Sequence, residues 1–192
     1  MPLPKLAVDL DGVLADTIVP CCRITNARYS KNLEPESITK WKAWELVGIS
    51  ENEFFRALDD AWSNWRNIPP TEDHLAEKVE KLLPIGIVDI VTGRSPGTVA
   101  PAKSWLKEQG IKFNSFVRTN GAMDKLRLNY EIFIDDSPEL MAALAGKEGK
   151  RGVLYSQPWN REVAVGQEVS RVESWVDIPE RVLDFVSERR SR

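Results

Sequence analysis

Asp9-Leu10-Asp11-Gly12-Val13-Leu14-Ala15-Asp16-Thr17, directly after the apolar run Leu6-Ala7-Val8, decides the reading of this 192-residue chain. A short hydrophobic strand ends in two carboxylates, and a glycine then turns the backbone. At the tip of a strand Asp9 and Asp11 are expected to point the same way, because side chains alternate with period two. Two acids on one side repel each other, and a hard divalent cation such as Mg²⁺ resolves the repulsion. Such an ion takes one or two carboxylates and completes its shell with water and phosphate oxygens. The competing reading makes one Asp a helix cap and leaves the other solvated.

Beyond this stretch the pattern turns helical. Residues from Val19 to Thr71 contain no strand signal and hold Trp41, Trp44, Trp62 and Trp65, two pairs spaced three apart. Ser50 followed by Glu53 is a capping-box signature, and Phe54, Phe55, Leu58, Ala61 and Trp62 behind it form a helical stripe. Pro69-Pro70 closes the segment. It reads as an all-helical cap at 18–71, inserted in a core made of 1–17 and 72–192.

Strands and helices then alternate. Helical faces are read at Leu75 to Leu83, Thr98 to Gln109 (with Gly110 as C-terminal cap), Pro138 to Ala145 and Pro179 to Ser187. Strands are read at Gly86 to Val91, Phe116-Val117, Glu131 to Ile134 and Gly152 to Tyr155, with an edge strand at Val169 to Val172. This alternation predicts an α/β fold, a Rossmann-like parallel sheet flanked by helices, with ligands beyond the carboxyl ends of the strands.

Two of those strand ends carry chemistry. Ile87 to Val91 leads into Thr92-Gly93-Arg94, where a hydroxyl and exposed N–H groups before a helix suit a phosphate. Ile132-Phe133-Ile134 leads into Asp135-Asp136, a second acid pair; a helix cap near Pro138 accounts for one of these acids but not both. Lys125, ten residues before Asp135, reads by itself as a surface lysine.

Composition narrows the alternatives. Charged residues make up 29% and hydrophobic ones 42%, the balance of a globular protein, and the net charge of −3 opposes binding of a long nucleic acid. Arg189, Arg190 and Arg192 read as a solvated tail. No stretch reaches membrane-spanning length, and the first strand starts too early to leave room for a signal peptide. A cytoplasmic protein, monomer or homodimer, is expected. The two cysteines are adjacent, Cys21-Cys22, and read as buried helix packing rather than a staple. His74 is the only histidine, which leaves little for Ser-His-Asp or multi-histidine zinc chemistry.

Taken in order, DLDGVLADT (9–17), IVTGR (90–94), Lys125 and FIDDSP (133–138) resemble the haloacid dehalogenase superfamily over essentially the whole chain. A phosphate-accepting receiver domain shares the residue types but not their order. Within the superfamily the chain looks most like the 5′(3′)-deoxyribonucleotidases, through DGVLADT, the ten-residue step from Lys125 to the acid pair, Gln157-Pro158-Trp159-Asn160-Arg161, and the helical insertion. One departure is Thr17, which stands where the better-known members carry an aromatic residue walling the base pocket.

The resemblance implies a phosphomonoesterase in which Asp9 is the nucleophile forming an aspartyl-phosphate and Asp11 the acid and base. It implies Mg²⁺ held by Asp9, the Asp11 carbonyl and Asp136, with Asp135 orienting a water or a neighbouring ligand. Thr92, Gly93 and Lys125 would meet the phosphoryl charge, with Arg94 also among the substrate-binding residues. Asp16, Thr17, Trp41 and Trp44 are candidates for substrate contact, and Trp159 and Arg161 either border the site or form a structural loop. The expected substrate is a small phosphate ester, a nucleoside monophosphate. A sugar phosphate, a nucleic-acid phosphate end, and a catalytically silent protein on the same fold are the alternatives.

Overall fold

The computed structural model describes residues 2–190. Six strands form one parallel sheet: β1 (Lys5–Val8), β2 (Ile87–Thr92), β3 (Ser115–Arg118), β4 (Ile132–Asp135), β5 (Arg151–Tyr155) and β6 (Val169–Val172), in the order β3-β2-β1-β4-β5-β6. The chain moves outward from β1 through β2 to β3, then crosses back to β4 on the other side of β1. The strand order therefore reverses at β1, and a crevice opens there at the carboxyl ends. Register aligns Val8 with both Ile90 and Ile134, so the residues following β1 and β4 emerge side by side.

Alternation along the strands makes two apolar faces. Leu6, Val8, Val88, Ile90, Ile132, Ile134 and Val153 pack with α4 (Leu75–Glu80), α5 (Val99–Glu108) and α7 (Ile178–Arg190). Ala7, Val91, Phe133 and Leu154 pack on the opposite face with α6 (Pro138–Ala142) and a short 3₁₀ segment over Ala122–Arg127. Asp9 and Asp135 have the parity of Ala7 and Phe133, which puts them on the side of the 3₁₀ segment that carries Lys125.

Between β1 and α4 the chain is helical: α1 (Ile18–Tyr29), α2 (Ala43–Val47) and α3 (Glu51–Ser63), with 3₁₀ turns at Pro35–Ser37 and Trp65–Asn67. The capping box is formed: Ser50 Oγ accepts from the Glu53 amide at 3.3 Å, and the Ser50 amide donates to Glu53 Oε2 at 2.7 Å. Ile18, Cys21, Cys22, Ile38, Val47, Phe54 and Ala57 make a separate small core, and burial pushes the Cys21 and Cys22 thiols up to about 12 and about 11, leaving them inert. Trp62 is different. It lies within the insertion yet packs wholly in the sheet's core, edge-on to Trp105 with centroids 6.2 Å apart.

Where the insertion returns, Glu72 ties it down. Its Oε1 accepts from Tyr155 Oη and the Trp175 amide, both at 2.8 Å, and its Oε2 accepts from Lys78 Nζ at 2.6 Å and Ser174 Oγ at 3.1 Å. Burial pushes this carboxyl up, but its donors outweigh that and hold it below the usual glutamate value.

Some element ends differ from the sequence reading. The helix expected to run to Ala145 stops after Ala142, and its cap is Ser137, whose Oγ accepts from the Leu140 amide at 3.2 Å, so neither Asp135 nor Asp136 is spent on capping. The last helix continues through Arg190, and Arg189 pairs with Glu131 at 3.1 Å instead of fraying; Arg192 lies outside the described residues. No helix among the described residues is long and apolar enough to cross a membrane.

Because four donors converge on one carboxylate, Glu72→Ala should lower stability by about 2–4 kcal/mol. Urea denaturation with an unchanged m-value checks this, and a loss under about 0.5 kcal/mol would contradict it.

Candidate active site

β1 ends at Val8, and the neighbouring strand β4 fixes the course of the chain beyond it. The Asp9 amide donates to the Ile134 carbonyl at 2.9 Å, which holds the Asp9 side chain beside the end of β4. There one oxygen each of Asp9, Asp135 and Asp136 lie within 4.8 Å of one another. Lys125, only 2% exposed, reaches from its 3₁₀ segment to Asp9 Oδ1 at 2.8 Å and Asp135 Oδ2 at 2.6 Å. Its surface reading is thereby corrected: the parity of the two strands buries it between two acids.

The electrostatics arise from this packing. Burial pushes the Asp9 carboxyl up to about 7; Lys125 pulls it back and Asp135 adds to the rise. Burial, then Asp135 and Asp9, push Asp136 well above the usual aspartate value. Burial pulls the Lys125 ammonium down, but Asp135 and Asp9 outweigh it and hold it above the ordinary lysine value. Three carboxylates against one ammonium leave a formal charge of −2. A divalent cation fits both that charge and the all-oxygen donor set.

Asp135 and Asp136 divide their partners. Asp135 Oδ1 accepts from the Ser137 amide at 2.9 Å, so with Lys125 both its oxygens are engaged. Asp136 Oδ2 accepts from the Trp159 indole N–H at 3.0 Å, and its carbonyl accepts from the buried Asn160 side-chain Nδ2 at 2.9 Å. Gly12 has φ +73°, and a Cβ there would collide with Asp136 Oδ2; the glycine of the first motif is required both by its turn and by the approach of this acid.

Asp11 parts from Asp9. The strand ends at Val8 and residues 12–14 form a turn, so period-two alternation does not carry across. The Asp11 carboxylate lies outside the acid trio. Its Oδ1 accepts from the Trp62 indole N–H at 2.8 Å and faces Arg94 at 3.6 Å. Arg94, 6% exposed, also pairs with Asp59 of α3 at 2.8 Å. Asp9 and Asp11 therefore take different partners, although both line the same cleft.

At the end of β2, Thr92 is buried and its Oγ1 accepts from the Arg94 amide at 3.3 Å. A Cβ on Gly93 would lie 3.0 Å from the Gly121 Cα, so a larger residue would require these two loops to give by a few tenths of an ångström. A cleft of about 950 Å³ separates the sheet ends from the insertion. It is lined by Asp9, Asp11, Asp136, Thr92, Gly93, Arg94 and Lys125 from below, and by Thr17, Trp41, Trp44, Phe54 and Phe55 from the insertion side. Trp44 also packs on Phe55, with centroids 5.9 Å apart.

Other expectations sort themselves out here. Trp159 lines the cleft, whereas Arg161 is exposed and does not. Asp16 is not part of the cleft lining; burial raises its carboxyl, which accepts a bond from the Val19 amide at the start of α1. His74 precedes α4 in a left-handed conformation, with its Nδ1 3.6 Å from Glu77 Oε1. Trp62, Asp59 and Asn160 are the site's contacts that the sequence reading missed.

A sequence profile described as 5′ nucleotidase, deoxy (pyrimidine), cytosolic type C protein matches residues 3–188. The chain belongs to this family. As a member it is a phosphoric monoester hydrolase on the haloacid dehalogenase fold. Two relatives carry provisional names of the same kind. A nucleotidase of Halalkalibacterium halodurans is 22% identical, covering 90% of this chain and 89% of its own. A 5′(3′)-deoxyribonucleotidase of Chlorobaculum tepidum is 25% identical, covering 95% and 91%. Among solved structures, a haloacid dehalogenase-like hydrolase from Xanthomonas campestris matches with TM-score 0.61 and 12% identity over 100% of both chains. CbbY from Rhodobacter sphaeroides, in complex with phosphate, matches with TM-score 0.61 and 16% identity over 92% and 96%. At such identities these two likenesses establish the fold alone.

The buried lysine makes a sharp expectation. Lys125→Met leaves three neighbouring acids without their cation and should cost about 3–5 kcal/mol of stability at pH 8 in metal-free buffer. Chemical denaturation measures it; a change below about 1 kcal/mol would mean the lysine is not what permits the acids to gather.

Proposed function

We propose that this protein is a Mg²⁺-dependent 5′(3′)-deoxyribonucleotidase that works through an aspartyl-phosphate. The trio of Asp9, Asp135 and Asp136 around Lys125, at the bottom of a cleft walled by aromatic side chains, carries this reading. Asp9 and Asp136, with the Asp11 carbonyl, would hold the cation, and Asp135 would orient a water or a neighbouring ligand. When bound, the cation supplies charge that lets a phosphate dianion approach a carboxylate.

The chain's own groups do the rest. Asp9 attacks phosphorus while the ester oxygen leaves, and Asp11 gives that oxygen its proton. Asp11, now a carboxylate, takes a proton from water as the water attacks phosphorus, releasing phosphate and restoring Asp9. Thr92, the Gly93 amide and Lys125 donate to the phosphoryl oxygens, and Arg94 adds charge at the rim. Trp41 or Trp44 stacks on the base, with Thr17 beneath. The segment 18–71 acts as the cap and 1–17 with 72–192 as the core. The partners of this activity are small phosphate esters in the cytoplasm.

A phosphate-release screen over deoxynucleotides, ribonucleotides and sugar phosphates, with and without Mg²⁺, tests the reading. Deoxynucleoside monophosphates should rank first, chelation should abolish turnover, and Asp9→Asn should remove it without unfolding the protein. Preference for a sugar phosphate would overturn the substrate, and undiminished activity of Asp9→Asn the chemistry. Ala at the stacking tryptophan should cost on the order of 1–3 kcal/mol in kcat/KM on a nucleotide and little on p-nitrophenyl phosphate.

The metal has a readout independent of activity. Asp9 binds its proton more tightly when folded, so its contribution to metal-free stability is present at low pH and lost as pH rises through about 7. A cation that needs the deprotonated carboxylate gains in the same direction. Mg²⁺ should therefore raise Tm by roughly 3–8 °C at pH 8 and by less than half of that at pH 5.5. An equal shift at both values would contradict a site built on Asp9 and Asp136.

A further inference from the structure

Trp62 sits where no substrate contact explains it. It is fully buried, it comes from the insertion, and its ring packs edge-on against Trp105, whose own N–H is taken by the Ile68 carbonyl at 2.8 Å. Its one polar atom donates to Asp11 Oδ1 at 2.8 Å. Arg94 approaches the same oxygen, at 3.6 Å, and Asp11 Oδ2 has no hydrogen-bond partner among the described residues.

We propose that Trp62 is a positioning residue for Asp11, fixing which carboxyl oxygen handles the proton. The inference rests on the acid–base role of Asp11 given above. An indole N–H only donates, so the oxygen it binds must accept. A carboxylic acid accepts best on its carbonyl oxygen, so an N–H held on Oδ1 favours Oδ2 as the oxygen that carries the transferable proton. In the first half-reaction the Oδ2–H bond breaks and its proton passes to the departing ester oxygen, while the P–O bond to that oxygen breaks and the bond to Asp9 forms. In the second, Oδ2 takes a proton from the attacking water. The indole stays neutral throughout and loses nothing.

This arrangement has a structural consequence. The donor belongs to α3, so the acid at the end of β1 is aligned by the inserted segment rather than by the sheet. Arg94, from the loop after β2, repeats the link by pairing at 2.8 Å with Asp59 of the same helix. A ring buried among Trp105 and the sheet's apolar side chains has little freedom to turn, which is what a positioning donor requires.

The test separates protonation from packing by leaving group. An alkoxide needs a proton to depart, whereas p-nitrophenolate needs little help. Trp62→Phe retains the apolar ring but removes the N–H. Replacement of Trp62 alone by benzothienylalanine, which matches the indole in shape with sulfur in place of N–H, guards against simple loss of packing. Both are compared with Asp11→Asn on 2′-deoxyuridine 5′-monophosphate and p-nitrophenyl phosphate, alongside Tm.

The expected result is a fall in kcat on the nucleotide of about tenfold for both Trp62 variants, several-fold more than on p-nitrophenyl phosphate, with KM little changed. Asp11→Asn should discriminate in the same direction and more strongly. If Asp11→Asn discriminates but both Trp62 variants lose equally on the two esters, Trp62 is only packing and the inference is overturned by itself. If Asp11→Asn also loses equally on both, the acid role of Asp11 fails, and the inference falls with it.

Discussion

The ion pairs of Lys125 with Asp9 and Asp135 are what the rest of the site depends on. Buried carboxylates repel and lose their hydration, and three of them at adjacent strand ends would unfold the crevice or protonate unless something positive sat between them. Lys125 meets Asp9 at 2.8 Å and Asp135 at 2.6 Å, and both pairs exist because β1 and β4 are neighbours in register. The same register leaves Asp136 against Gly12, where no larger residue could stand. The acids thus gather through strand order, one lysine and one glycine.

Around that centre the acids are held mainly by neutral donors, with Arg94 at 3.6 Å from Asp11 the one added charge among the described residues. Trp159 binds Asp136, Asn160 binds its carbonyl, the Ser137 amide binds Asp135, and Trp62 binds Asp11. Neutral donors orient a carboxylate without cancelling the negative charge a cation would need. Three of the four come from the sheet's carboxyl edge. Trp62 comes from the insertion, which is also tied to the sheet by Arg94–Asp59 on one side of the cleft and by Glu72 where the chain returns. The inserted helices therefore bear on Asp11 as well as on the cleft wall.

Much of this was legible in the sequence, because strands with two-sided burial and helices with one apolar stripe leave strong patterns. Every strand was placed to within a residue or two, down to the edge strand at Val169 to Val172, and Asp9, Thr92, Lys125, Asp135 and Asp136 stood at strand ends or at a fixed step from one. What failed did so for tertiary reasons. Lys125 alone looks like a surface residue, since its burial depends on the parity of two strands distant in sequence. Asp9 and Asp11 take different partners because the alternation rule ends with the strand. Trp62 reads as one more apolar residue of a helical stripe, and nothing local marks its N–H as directed at an acid 51 residues away. Asn160 sits in the quoted Gln157–Arg161 stretch, yet its reach to the Asp136 carbonyl has no local signature.

The account stands or falls on Asp9 as the nucleophile that takes the phosphoryl group. Rapid mixing with a deoxynucleotide and Mg²⁺, an acid quench within one turnover, and borohydride reduction converts any aspartyl-phosphate to homoserine, which peptide mass spectrometry locates. The account predicts homoserine at position 9 alone, and none in Asp9→Asn or without substrate. Homoserine at Asp11, Asp135 or Asp136 in its place, or none at any position while phosphate is released, would contradict it.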